Sequence, residues 1–279
     1  MLECSPVYKT SNTMTIIDNL ANSGWVLLLL AAVIGACFGS FITLLAHRLP
    51  RDEPVVATRS RCPQCHTPLR SRDLVPVLSY LWSRGQCRHC ALRISPRYLM
   101  IELVTAVCFV LLVWQFGLST QAGILVLLAV CLIALIVIDF EHYIIPDSLQ
   151  VAMIVLGVAY CFVMERVIDV YIVGALVGLL IGLVLRYGFL WLRNKDALGM
   201  GDVKFLFVVG LWLGAKPLVP FLFIAGLLGI ATSLLWRALR QGALFPFGPA
   251  LAIAMVICLL WPELPALFWQ ADRWVGVFR

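Results

Sequence analysis

Two groups of residues in this 279-residue chain have the types and spacing to do chemistry. The first is Cys62-Pro-Gln-Cys65 with Cys87-Arg-His-Cys90, two Cys-x2-Cys pairs separated by 21 residues. Each pair supplies two sulfurs from one turn and the intervening segment returns the chain, so four thiolates at this spacing suit a tetrahedral zinc ion. Such a site has no open position for water or substrate, which makes the metal structural. Two disulfides or four free thiols are the alternative, and a reducing compartment disfavours the disulfides. His66 and His89 adjoin the cysteines and could displace one as ligand, but solvent-facing side chains are the favoured reading. Cys4, Cys37, Cys108, Cys131, Cys161 and Cys258 are scattered and read as small packing residues.

The second group is acidic. Glu102, Asp139 and Asp202 stand inside or at the ends of long apolar runs, where a carboxylate is costly and therefore a candidate for function. Two carboxylates in a poorly solvated site cannot both ionise easily, so one can take a proton from water while the other donates to a carbonyl oxygen. Asp139, in Ile138-Asp139-Phe140, and Asp202, in Gly199-Met200-Gly201-Asp202-Val203-Lys204, are the candidate pair. Asp202 also suits a helix cap, and spacing alone leaves both readings open. Gly199 and Gly201 leave room for close backbone approach. Asp147, after Pro146, reads as an N-cap. Glu141 and His142 read as solvated loop residues, His142 with reach toward a substrate. Glu102 can pair with a loop arginine or serve a second active site, and Lys204 can tune Asp202 or contact head groups.

What must position these groups is a membrane. The chain is 62% hydrophobic and 13% charged, with a mean hydropathy of +0.97, whereas soluble domains are about half apolar and about a quarter charged. That excess cannot be buried in one water-facing core and must face lipid, which excludes a soluble enzyme with a single anchor. Apolar runs predict spans near 25–46, 99–116, 121–138, 149–164, 170–191, 202–214, 217–236 and 247–262. The expected fold is an all-α polytopic membrane protein of about eight transmembrane helices with a small zinc-stapled cytoplasmic loop domain. The run at 202–214 is short, roughly 21 Å against a hydrocarbon core of about 30 Å, so its Gly-Asp start is expected to lie recessed in the membrane. Gly174, Gly178 and Gly182, and Gly35 with Gly39, recur every four residues and read as helix-packing positions.

Charge orients the chain. Its net charge of +6 comes almost entirely from residues 48–97, where ten arginines face Asp52, Glu53 and Asp73. Placing that loop in the cytoplasm puts the amino terminus in the periplasm and 16 of the 21 lysines and arginines on the cytoplasmic side, as the positive-inside rule requires. The expected organisation is a periplasmic segment at 1–24, a first transmembrane helix at 25–46 and a cytoplasmic Cys4 loop at 47–98. A seven-helix membrane core at 99–262 and a periplasmic tail at 263–279 follow. The first apolar run continues to Ala46, so no cleavable signal peptide is expected. The arginines read as topology determinants beside lipid head groups. A nucleic-acid partner is not expected, because no aromatic interleaving or groove-reading helix accompanies them.

Two rival classes stay open on the residues alone. A transporter could use Asp139 and Asp202 as a cation relay, but the spans between offer no ionisable group continuing toward the outer face. A zinc-stapled assembly scaffold would not depend on either aspartate.

The ordered motifs resemble those of bacterial type IV prepilin peptidases, members of the Gly-x-Gly-Asp class of intramembrane aspartyl proteases. The likeness covers nearly all of residues 25–262. It runs through Gly39-Ser40-Phe41, His47-Arg48-Leu49-Pro50, the paired cysteines, Arg97-Tyr98 before Glu102, Ile138-Asp139, Ile145-Pro146-Asp147, the Gly199-to-Lys204 run and Pro246-Phe247-Gly248-Pro249. The resemblance implies an enzyme of the bacterial cytoplasmic membrane that cuts the basic leader from type IV prepilins or type II secretion pseudopilins, after a glycine on the cytoplasmic side. It also implies N-methylation of the new amino terminus, commonly phenylalanine, with S-adenosylmethionine as methyl donor. The family's catalytic aspartates fall on Asp139 and Asp202, and Glu102 is assigned to the methylation half. Thr43 departs from the pattern, standing where the family commonly has asparagine in the part of the chain linked with methylation.

Overall fold

The computed structural model describes residues 24–55, 60–62, 64–193, 198–240, 245–261 and 263. Its regular structure among them is helical, and the chain divides into two compact units that succeed one another at Ile138 and Asp139. The helices are α1 (Trp25–Arg48), a short α2 (Leu78–Trp82), α3 (Pro96–Phe116), α4 (Thr120–His142), α5 (Asp147–Val163), α6 (Ile168–Arg193), α7 (Met200–Leu213), α8 (Leu218–Arg240) and α9 (Gly248–Leu260). Each predicted span coincides with one of the eight longer helices.

Length divides these eight helices into two groups. Five described helices, α1, α3, α4, α6 and α8, are long and apolar enough to cross a membrane. The other three have 17, 14 and 13 residues in α5, α7 and α9, or about 26, 21 and 20 Å at about 1.5 Å per residue, short of about 30 Å. The predicted 202–214 run is thus one of three short helices.

In the unit that ends at Ile138, α1 packs on α3 through its glycines. A Cβ at Gly35 would stand 2.7 Å from Ala106 Cα, and one at Gly39 2.5 Å from Glu102 Cα. Thr43 lies buried on α1, its hydroxyl donating to the Ser40 carbonyl at 2.7 Å. α3 starts at a Ser95 cap with Pro96 as its first residue and stops at Gly117, whose φ of +64° favours glycine. Between α1 and α3 the loop has almost no core: of the described side chains from Leu49 to Ser95, only that of Cys62 is buried.

In the unit that begins at Asp139, α7 is the central element. Apolar on every side, it buries Val203, Phe205, Leu206, Val208, Val209, Leu211 and Trp212. Gly174 and Gly178 of α6 let the backbones touch, because a Cβ there would fall on the carbonyl oxygens of Gly210 and Leu206. Trp212 Nε1 donates to the Met153 carbonyl of α5 at 2.9 Å, and its ring stacks on Tyr160. Leu176, Leu180, Val184 and Trp191 form an exposed apolar stripe at helical spacing along α6, the face expected of a helix in lipid.

Candidate active site

Asp139 sits in the last turn of α4, which closes at Tyr143 in the left-handed region (φ +57°). Its carboxylate is buried, and Oδ2 accepts the Gly248 N–H at 2.8 Å. Gly248 opens α9, with Pro249 behind it. A helix start carries backbone donors with no intrahelical partner and the positive end of the dipole, so it is a good place to hold a carboxylate.

Asp202 is the third residue of α7. Its Oδ2 accepts the Gly199 N–H at 3.2 Å, so the capping contact forms from within the first turn rather than from the position before it. Gly201 is where close approach is needed: a Cβ there would stand 3.1 Å from Ile145 Cβ, and Gln150 Nε2 donates to its carbonyl at 3.3 Å. Gly199, by contrast, is extended at φ −62° and faces the Asp202 carboxylate itself.

The two aspartates line one cavity of about 280 Å³, together with Tyr143, Ile144, Ile145, Asp147, Gly199, Met200 and Gly201. The sequence candidates 63 positions apart are therefore brought to one space, with Ile144, Ile145 and Met200 as its apolar side chains. A water held there could be deprotonated by one carboxylate while the other protonates a carbonyl oxygen.

Neighbouring residues depart from the sequence reading. Asp147 is the first residue of α5 after an N-cap at Pro146, and it makes no capping bond; its two oxygens each lie 2.8 Å from Lys204 Nζ. Lys204 thus pairs with Asp147. Glu141 and His142 belong to the last turn of α4 rather than to a loop, 3.9 Å apart. Sequence reasoning missed Gly248 as the Asp139 donor; its only local signal is Pro246-Phe247-Gly248-Pro249, the proline-flanked start of a helix. It also missed Trp236, stacked on Phe140 at 5.9 Å and edge-on to Tyr143 at 6.5 Å.

The cysteine cluster and Glu102 lie in the other unit. One potential ligand atom from each of Cys62, Cys65, Cys87 and Cys90 lies within 4.8 Å of the others, and Cys62 Sγ is 3.8 Å from Cys90 Sγ. A tetrahedron with Zn–S bonds of about 2.3 Å has edges of about 3.8 Å, so the donors fit zinc. The two knuckles repeat each other 25 residues apart. Cys62 N–H donates to Thr67 O and Cys87 N–H to Leu92 O; His66 donates to Cys62 O and Ala91 to Cys87 O; Leu69 donates to Ser60 O and Ile94 to Gly85 O. Hydrogen bonds with Thr67 bring Cys65 down to about 6, and backbone bonds from Cys90 and His89 lower Cys87. A backbone bond at Leu92 lowers Cys90, but desolvation and the neighbouring sulfurs outweigh it and raise that thiol to about 11. His66 and His89 are exposed, as expected. No disulfide forms among the described cysteines, and Cys131, Cys161 and Cys258 are buried; Cys4 lies outside the described residues.

Glu102 is buried on α3, where Oε2 accepts the Val77 N–H at 2.7 Å. Val77 has φ +61° and sits in a tight turn in which Leu78 N–H reaches Pro76 O. A β-branched residue in that region is strained, so the carboxylate fastens a strained turn of the cysteine loop. A second cavity of about 490 Å³ in this unit is lined by Tyr80, Arg84, Gln86, Arg93 and Ser95 among others.

Residues 126–234, which include both aspartates, match the model of the type IV leader peptidase family, and residues 33–116, which include the cysteines and Glu102, match the bacterial peptidase A24 N-terminal domain. Relatives named prepilin leader peptidase/N-methyltransferase from Stutzerimonas stutzeri and Pseudomonas aeruginosa are each 32% identical over 277 residues, covering 90% of this chain and 96% of theirs. The chain belongs to that family. A third relative of the same name, from Neisseria gonorrhoeae, is 32% identical over 282 residues, covering 88% of this chain and 93% of its own. The protein is accordingly a multi-pass membrane enzyme of the bacterial prepilin leader peptidase/N-methyltransferase family, with a four-cysteine cluster compatible with zinc. No solved structure matches the chain.

Proposed function

We propose that the protein removes the basic leader of type IV prepilins or type II secretion pseudopilins by aspartyl hydrolysis at Asp139 and Asp202, after a glycine and on the cytoplasmic side. The observation that carries this reading is the single cavity lined by both carboxylates. One aspartate takes the proton of the attacking water and the other gives a proton to the scissile carbonyl. The Gly248 N–H holds Asp139 in place, and the α7 start holds Asp202.

The same protein N-methylates the new amino terminus, and S-adenosylmethionine would supply the methyl group. The unit that ends at Ile138 carries this half. Glu102 is its buried carboxylate, and the cavity beside Tyr80, Arg84 and Arg93 offers guanidinium and hydroxyl groups suited to that donor's carboxylate and ribose. Zinc held by Cys62, Cys65, Cys87 and Cys90 is structural. The eight longer helices lie in the bacterial inner membrane, α5, α7 and α9 as short ones, with the amino terminus periplasmic and residues 47–98 cytoplasmic. The distribution of basic residues supports that orientation.

Purified protein incubated with a synthetic prepilin, with mass spectrometry of the new amino terminus, tests both activities together. The expected product begins immediately after the leader's glycine and carries one added methyl group. An intact substrate, or a cut elsewhere, would overturn the reading. Reporter fusions at residues 20 and 75 test the orientation, with periplasmic and cytoplasmic signals expected respectively.

A further inference from the structure

The pair formed by Asp147 and Lys204 has no evident stabilising purpose. Its partners are 47% and 69% exposed for lysine and aspartate, and pairs this exposed contribute little stability. Lys204 also stands in the N-terminal half of α7, where the dipole disfavours a cation, whereas Asp147 at the start of α5 is favoured there. Nor is the pair needed to clamp the two helix starts together. Gln150 Nε2 already bonds the Gly201 carbonyl, and Ile145 already packs against Gly201.

What distinguishes the pair is its place. Asp147 is a third carboxylate on the wall of the cavity that holds Asp139 and Asp202. Tyr143 is the other titratable residue on that wall. Acid–base chemistry by two aspartates depends on their mutual charge, and an added anion on the same wall disfavours the ionised member that must take the water's proton. Both Asp147 oxygens are instead held by the ammonium of Lys204 at 2.8 Å.

We propose that Lys204 is a positioning residue that acts through Asp147: by neutralising this third carboxylate, it leaves the cavity with the charge of the aspartate pair alone. The inference rests on the assignment of Asp139 and Asp202 as that pair. It requires a particular pattern among variants. Removing Lys204 harms the reaction by exposing Asp147, so removing Asp147 as well repairs it. A clamp between helices behaves otherwise, because either partner's loss breaks it and the double loss repairs nothing.

The experiment compares full-length Lys204→Met, Asp147→Asn, the double variant and Lys204→Arg, each purified in detergent and given a synthetic prepilin. Thermal unfolding is followed in parallel. Lys204→Met should lose roughly three- to tenfold in kcat/KM, the scale of one partly screened charge near the reacting groups, with an unchanged melting temperature. The double variant should recover most of the activity that Lys204→Met loses, Asp147→Asn should lose less than Lys204→Met, and Lys204→Arg should keep its activity. An intact rate in Lys204→Met, or a double variant no faster than Lys204→Met, would overturn the proposal. Asp139→Asn run alongside should be inactive; activity there would count against the aspartate pair and leave the charge pattern separately readable.

Discussion

Asp139 and Gly248 are joined across 109 positions by a 2.8 Å hydrogen bond in which the first N–H of α9 donates to a buried carboxylate. The Pro246-Phe247-Gly248-Pro249 segment therefore acts on the candidate site through its backbone. Side-chain chemistry is not what it supplies: it presents an unpaired helix-start donor at the point where the carboxylate needs a partner.

That bond separates two ways of losing Asp139. Both Asp139→Asn and Asp139→Ala should cut prepilin orders of magnitude more slowly, as should Asp202→Asn, because each leaves an acid without its base. The carboxamide oxygen of Asn can still accept the Gly248 N–H, whereas Ala leaves that donor buried and unpaired, at a cost of about 1–3 kcal/mol. Cleavage assays with thermal unfolding check both. Near-normal cleavage by Asp139→Asn or Asp202→Asn would remove the pair, and equal melting of the Asn and Ala variants at 139 would remove the role given to the bond.

The cysteine loop should carry one zinc ion per chain. With Cys62 its only buried described side chain, the loop has little else to hold its two knuckles together. Elemental analysis should find the metal in the natural protein and lose it in Cys62→Ser with Cys87→Ser, and chelation should leave the loop open to limited proteolysis. A metal-free natural protein with a protease-resistant loop is the contrary result.

Methylation should need the loop and Glu102 but neither aspartate, since methyl transfer requires no activated water. A precut pilin given to Asp139→Ala should still be methylated. Glu102→Ala should lose that reaction, and hydrogen exchange should rise at Val77, whose N–H the carboxylate accepts. Failure of folded Asp139→Ala to methylate would tie the two activities to one site.

Two glycines of α6 should respond oppositely to alanine. A Cβ at Gly178 would fall on the Leu206 carbonyl of α7, while one at Gly188 meets nothing within 4 Å. Gly188→Ala should stabilise by about 0.5–1 kcal/mol through helix propensity. Gly178→Ala should destabilise by about 1–3 kcal/mol, because two packed backbones must separate. Unfolding midpoints in one detergent check the contrast, and a stable Gly178→Ala would mean that α6 and α7 are not in contact there.

The sequence by itself determined what is local. Eight apolar runs became eight helices because hydrophobic length suffices for a helix even where glycines interrupt it, and each Cys-x2-Cys turn closes with its own bonds to residues four and five positions on. Glycine spacing likewise announced close helix packing, though not that its partners are α7 for α6 and α3 for α1. Only the tertiary structure decided which partner each carboxylate takes. Asp147 looked like a cap yet pairs with Lys204, 57 positions away; Glu102 turned to the Val77 backbone; Asp139 found the start of α9. Apolar pattern sets which stretches become helices, but helix starts are brought together by packing along whole helices, and that geometry is written in no short stretch of residues.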